Sequence, residues 1–191
     1  MLNIAVLASG NGSNFEAIAR AVKEQRLKAF IKFLITDKED SFVRQRADKY
    51  GIKNIYINPK DFNAREDFDH AVAGFITEAD IDLIVFAGYM RIVSSEFIER
   101  FKGRIINIHP SLLPKFKGMH AIKKAYESGE KITGVTVHYV SPEIDSGPII
   151  EQIAVEIKDG MSLEDLEEQI HASEHILYPK VISDIAAKKV D

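Results

Sequence analysis

Through the first half of the chain, short and almost continuously apolar runs alternate with longer amphipathic stretches, and few architectures accept that pattern. Ile4 to Ala8, Phe30 to Ile35, Asn54 to Ile57, Leu83 to Ala87 and Arg104 to Ile108 read as strands. Helices are expected between them at Asn14 to Gln25, Ser41 to Tyr50, Ala64 to Glu78 and Ser95 to Phe101. The strands are apolar at successive rather than alternate positions, which suits a parallel sheet buried on both faces. After His109 the pattern changes. Pro110, Pro114 and Gly118 punctuate a loop, Ala121 to Glu127 reads as a helix, and Thr133 to Val140 and Ile149 to Ile157 read as strands. The connection over 142–148 is too short for a crossover helix, so these two strands are expected to run antiparallel. A last helix is expected from Ser162 to Leu177, interrupted by Pro179 and resuming to Ala187. The expected fold is α/β: a doubly wound, mostly parallel sheet with helices on both faces and an antiparallel strand pair in the C-terminal half.

No repeat, low-complexity tract or linker divides the 191 residues, so one domain over 1–191 is expected. Cysteine is absent, which excludes a disulfide scaffold, a thiol nucleophile and Cys-ligated metal sites. The N-terminus runs straight into an apolar strand without a basic leader, and no apolar run approaches the roughly 20 residues of a membrane helix, so a cytoplasmic protein is expected. The 25 basic and 29 acidic residues leave a net charge of −4, which disfavours nucleic acid as a partner.

Three segments could carry chemistry. Ser9-Gly10-Asn11-Gly12-Ser13-Asn14 lies between the first strand and the first helix, where free N–H groups and the helix dipole attract anions. It is neither the dinucleotide fingerprint, whose third glycine would fall at Phe15, nor a P-loop. Ser13 with Glu16 also fits a capping box, a purely structural use compatible with the first. Asn107-Ile108-His109-Pro110-Ser111 ends the fifth strand. Residues two apart on a strand share a face roughly 6.6 Å apart, so Asn107 and His109 project together while Ile106 and Ile108 pack the other way. Strand ends of open α/β sheets bind ligands, and an amide beside an imidazole suits acyl transfer; a pair of groups capping nearby backbone is the plain alternative. Asp145, in a loop stiffened by Pro142 and Pro148, could supply a carboxylate partner or be an ordinary turn residue. Arg91, after the fourth strand, could clamp an anion or simply be a surface arginine. His171 and His175, four apart beside Glu174, lack the zincin order, and no metal site is expected. Lys115, Lys117, Lys123, Lys124 and Lys131 read as a solvated face.

Taken together, Ser-Gly-Asn-Gly-Ser-Asn at 9–14, Gly-Tyr-Met-Arg-Ile at 88–92, Asn-Ile-His-Pro-Ser-Leu-Leu-Pro at 107–114, Asp-Ser-Gly-Pro at 145–148 and Glu-His-Ile-Leu-Tyr-Pro at 174–179 resemble the phosphoribosylglycinamide formyltransferases, within the folate-dependent formyltransferase family. The resemblance covers essentially the whole chain. The central motif is shared among formyl-folate enzymes, while the first and last segments narrow the acceptor. It implies transfer of the formyl group of 10-formyltetrahydrofolate, a co-substrate, to the amine of glycinamide ribonucleotide in purine biosynthesis. Under it, Gly12, Ser13, Asn14 and Glu174 hold the ribonucleotide, Arg65, Met90, Arg91, Ile92, Val93 and Asn107 line the folate site, and Asn107, His109 and Asp145 are catalytic. The N-terminal part thus serves the phosphate and the C-terminal part the folate, with no metal, nucleic acid or membrane involved and a homodimer left open. Segment 115–120 is one departure, in a stretch that varies among relatives. The rival readings are a methionyl-tRNA formyltransferase relative or a formyl-folate hydrolase, each expected to carry an added domain, and a non-catalytic phosphate- or nucleotide-binding module.

Overall fold

The computed structural model describes residues 1–188; the last three residues of the domain expected over 1–191 lie outside the described residues. In chain order the elements are β1 (Leu2–Leu7), α1 (Ser13–Lys23), β2 (Ala29–Thr36), α2 (Phe42–Lys49), β3 (Asn54–Tyr56), a 3₁₀ turn (Pro59–Asp61), α3 (Arg65–Glu78), β4 (Leu83–Phe86), α4 (Ser95–Arg100), β5 (Ile105–His109), α5 (Ala121–Glu127), β6 (Ile132–Tyr139), β7 (Ile149–Glu156) and α6 (Leu163–Lys188). They build one sheet of order β3-β2-β1-β4-β5-β6-β7. β1 to β5 pair in parallel, while β6 runs antiparallel to both β5 and β7. The doubly wound α/β expectation therefore holds.

The continuous apolar runs are divided between two cores by the pleat. Leu2, Ile4, Val6 and Ala8 pack against Phe15 and Ile18 of α1, Val43 of α2, and Leu177 and Val181 of α6. The intervening Ala5 and Leu7 pack against Phe68 and Val72 of α3, Phe97 of α4 and Phe101 just after it. Each fully buried aliphatic side chain contributes about 1.5–3 kcal/mol relative to exposure, which is why so short a strand is held on both sides. β5 obeys the same alternation: Ile106 and Ile108 enter the first core and Ile105 the second. Asn107 and His109 continue the face of Ile105 toward the carboxyl end of the strand.

Two local expectations are corrected. α6 is not interrupted: Pro179 lies buried inside one helix of 26 residues. The missing N–H costs one backbone bond, but Leu177, Tyr178, Val181 and Ile182 around it are fully buried, and that packing holds the helix through the proline. Nor do Ser13 and Glu16 form a capping box. Gly12, in the left-handed region at φ 77, is the N-cap of α1, Ser13 is already helical, and no side chain caps the end. Glu16 instead pairs with Arg46 and Lys49. A reciprocal capping pair does exist at α6, where Ser162 Oγ accepts from the Asp165 N–H at 3.1 Å and Asp165 Oδ2 accepts from the Ser162 N–H at 3.2 Å.

Candidate active site

β1, β4 and β5 are neighbours in the sheet, so the segments leaving their carboxyl ends lie side by side across roughly 10 Å. Those segments are 8–14, 87–94 and 109–118, and they contain most of the candidate residues. Ser9 links the first two: its N–H donates to the Gly88 carbonyl at 3.0 Å, and its Oγ accepts from the Met90 N–H at 2.9 Å.

At the end of β5 the expected trio comes together. Asp145 Oδ2 lies 3.4 Å from His109 Nδ1, and both side chains are nearly buried. The other ring nitrogen, Nε2, is 2.8 Å from the Phe116 carbonyl. Both nitrogens thus face oxygen atoms. Asp145 is held at a positive φ of 49°, and its Oδ2 also accepts from the Gly118 N–H at 2.8 Å. Burial alone would raise the pKa of Asp145; the His138 imidazole, the Gly118 N–H and His109 outweigh burial and hold its carboxyl below the usual range. Gly147, two residues on, has no room for a side chain: a Cβ there would overlap the Tyr139 carbonyl, so this loop presses onto the end of β6.

His138 belongs to this group and is absent from the expected set. It faces Asn107 across the β5–β6 ladder, its Nε2 lying 3.3 Å from Asn107 Nδ2 and 3.6 Å from Asp145 Oδ1. Its Nδ1 lies 2.8 Å from the Tyr139 carbonyl, and its Nε2, between the Asp145 carboxylate and the Asn107 amide, can engage only one N–H of that amide. The second N–H of that amide remains for a ligand. The register that pairs Asn107 with His138 also pairs His109 with Thr136. Thr136 is buried and staples the loop after His109 to the sheet, its Oγ1 donating to the Ser111 carbonyl at 2.6 Å and accepting from the Leu113 N–H at 3.1 Å.

The glycine turn meets α6 through Asn14, whose Nδ2 donates to Glu174 Oε2 at 3.0 Å. Glu174 is only 5% exposed, and the same oxygen is 3.0 Å from His171 Nδ1. That contact raises the pKa of His171, whereas burial lowers that of His175. One helical turn beyond Glu174, the buried Tyr178 donates to the carbonyls of Phe86 and Ile106 at 2.8 and 3.2 Å, tying α6 to β4 and β5 just behind the site.

The 87–94 segment offers an apolar and cationic surface. Met90 and Ile92 are 74% and 59% exposed, while Val93 packs toward the second core. The Arg91 guanidinium lies 4.2 Å over the Phe68 ring, with its Nε buried and unpartnered. Arg65, the first residue of α3, pairs with its neighbour Glu66 at 3.1 Å. Burial raises the pKa of Asp69 between these arginines, opposed by its bonds to Ser94 and by the charges of both Arg65 and Arg91. Of the lysines read as a solvated face, Lys115, Lys117, Lys123 and Lys131 pair with acidic side chains.

Comparison with known proteins agrees with this geometry. The family model described as formyl transferase matches residues 2–182. A phosphoribosylglycinamide formyltransferase of Bacillus subtilis is 42% identical over 97% of this chain and 95% of its own length. The enzyme of that name from Escherichia coli is 40% identical over 95% of this chain and 86% of its own. Among solved structures, glycinamide ribonucleotide transformylase 1 from Symbiobacterium toebii superposes with a TM-score of 0.95 at 40% identity, covering 98% of this chain and 89% of that one.

Proposed function

We infer the reaction from one premise: the chain belongs to the formyl transferase family. It is a phosphoribosylglycinamide formyltransferase in activity, carrying a formyl group to the amine of glycinamide ribonucleotide in purine biosynthesis. The donor in this reading is 10-formyltetrahydrofolate, bound as a co-substrate, and the enzyme works in the cytoplasm on two small anionic molecules.

The assembly of Asn107, His109 and Asp145 at the end of β5 carries the mechanistic reading. The neutral amine of the ribonucleotide attacks the formyl carbon, and the carbonyl oxygen becomes an oxyanion. The free N–H of Asn107 and the imidazolium of His109 stabilise that charge as it develops. Collapse breaks the bond to the folate nitrogen, which takes a proton from His109, and the proton lost by the attacking amine returns to the His109 ring, so the imidazolium is restored. Asp145 orients the ring, and His138 holds the Asn107 amide. For His109 Nε2 to meet substrate, the Phe116 carbonyl must give up the bond it holds. Gly12, Ser13 and Asn14 receive the substrate phosphate and Glu174 the ribose, while Arg65, Met90, Arg91, Ile92 and Val93 receive the folate.

The test mixes the protein with 10-formyltetrahydrofolate, with and without glycinamide ribonucleotide, and follows tetrahydrofolate release. Release that requires the ribonucleotide supports transfer. Equal release without it points to hydrolysis, and none in either case leaves a binding module.

A further inference from the structure

We propose that Arg46, on α2, is a positioning residue for the phosphate turn: its guanidinium fixes the peptide of Asn11 so that the Gly12 N–H faces the substrate phosphate. The inference rests on the reading of residues 9–14 as that phosphate site.

Three consecutive carbonyls of the turn are each tied to a donor on the protein side. Gly10 O accepts from the Val43 N–H at 3.1 Å, Asn11 O from Arg46 Nε at 2.9 Å, and Gly12 O from the Glu16 N–H at 2.9 Å. In a trans peptide the C=O and the following N–H point in opposite directions. Fixing these carbonyls therefore turns the N–H groups of Asn11, Gly12 and Ser13 away from α1 and α2. Among the described residues those of Gly12 and Ser13 have no protein acceptor. Two of the three carbonyl donors belong to elements that any helix start would supply. Arg46 is different, because it reaches across from α2 with a side chain.

Its fork is used in full. While Nε serves the Asn11 carbonyl, Nη2 donates to Asn11 Oδ1 at 2.9 Å, Nη1 pairs with Glu16, and the group lies 4.9 Å over the Phe42 ring. Glu16 is itself shared with Lys49 at 2.7 Å, so the cluster keeps one net positive charge beside the turn. The side chain is 19% exposed, and Val43 from the same helix packs directly under Gly12. An ammonium could keep the charge but cannot address a carbonyl and an amide oxygen of one residue along a single edge.

The experiment compares Arg46→Lys and Arg46→Met with the unaltered enzyme, measuring KM for both substrates, kcat, and inhibition by inorganic phosphate in competition with the ribonucleotide. In both variants the KM for the ribonucleotide and the Ki for phosphate are expected to rise about tenfold, with kcat and the folate KM within about twofold. Asn11→Ala, at an exposed position, removes one of the two fork acceptors and is expected to raise both constants about threefold, and to add nothing in the Arg46→Met background. Unaltered constants in Arg46→Lys would show that charge alone matters and overturn the proposal, as would a parallel loss in kcat and both KM values. Should the Arg46 variants fail to fold, Asn11→Ala decides by the same constants, and an unchanged phosphate Ki overturns it. Phosphate that does not compete with the ribonucleotide in the unaltered enzyme removes the phosphate-turn reading itself, a different failure that takes the proposal with it.

Discussion

At Gly12 a hydrogen stands where any other residue would place a carbon against Val43. The backbone there is left-handed, so Gly12→Ala meets both the steric cost of that region, roughly 1–2 kcal/mol, and the overlap. Urea unfolding should show a loss of at least that size, with a raised KM for the ribonucleotide. His109→Ala and Asp145→Asn are each expected to lower kcat by about 10²–10⁴-fold with the fold intact by circular dichroism; near-normal rates in both would sink the catalytic assignment. The histidines of α6 give a pH signature. His171 has a raised pKa in the folded chain, so its contribution to stability is full below the unfolded value and is lost as pH rises through the folded one. His171→Gln should therefore cost stability at about pH 6 and much less at about pH 9, when unfolding midpoints are compared. His175 has the opposite sign: burial lowers its pKa, so the fold loses stability as pH falls below the ordinary value, and His175→Gln should lessen that acid-side loss.

At the scale of elements, the Tyr178 hydroxyl bridges the carbonyls of Phe86 and Ile106 from the middle of α6. Tyr178→Phe leaves both with one fewer donor in a dry interior and is expected to cost about 1–3 kcal/mol in denaturant titration. The periodicity of the sequence was enough to place the strands and most helices, because burial on two faces leaves a direct trace in composition. What it could not supply was anything decided between elements. Pro179 looks like a stop when only the backbone is considered, and passes because neighbouring side chains from α6 are buried around it. Ser13 and Glu16 have the spacing of a cap, yet Arg46 and Lys49 claim the glutamate from another helix. His138 shows the same limit at the site. Its strand was legible, but its place opposite Asn107 depends on the register between β5 and β6, which no local pattern states. Asn107 and His109 were legible because they share a strand and a face, whereas the sequence left Asp145 between a carboxylate partner and an ordinary turn residue, and it is the fold that brings the groups within 3.4 Å.

The whole molecule joins its two ends through one sheet. The first core contains Leu2, Ile4 and Val6 of β1 together with Val181, Ile182 and Ala186 of α6, so elements from opposite ends of the described residues share one core. We propose accordingly that it unfolds as a single domain: fluorescence of the tyrosines and far-ultraviolet circular dichroism should follow one transition in urea, and two separated transitions would contradict this. The bond from Asn14 to Glu174 crosses 160 residues of sequence. A ribosome adding about 5–20 residues per second makes the glycine turn roughly 8–30 s before the carboxylate that faces it. On the proposed assignment of Asn14 and Glu174 to the ribonucleotide, that site is complete only once α6 has been made and has docked.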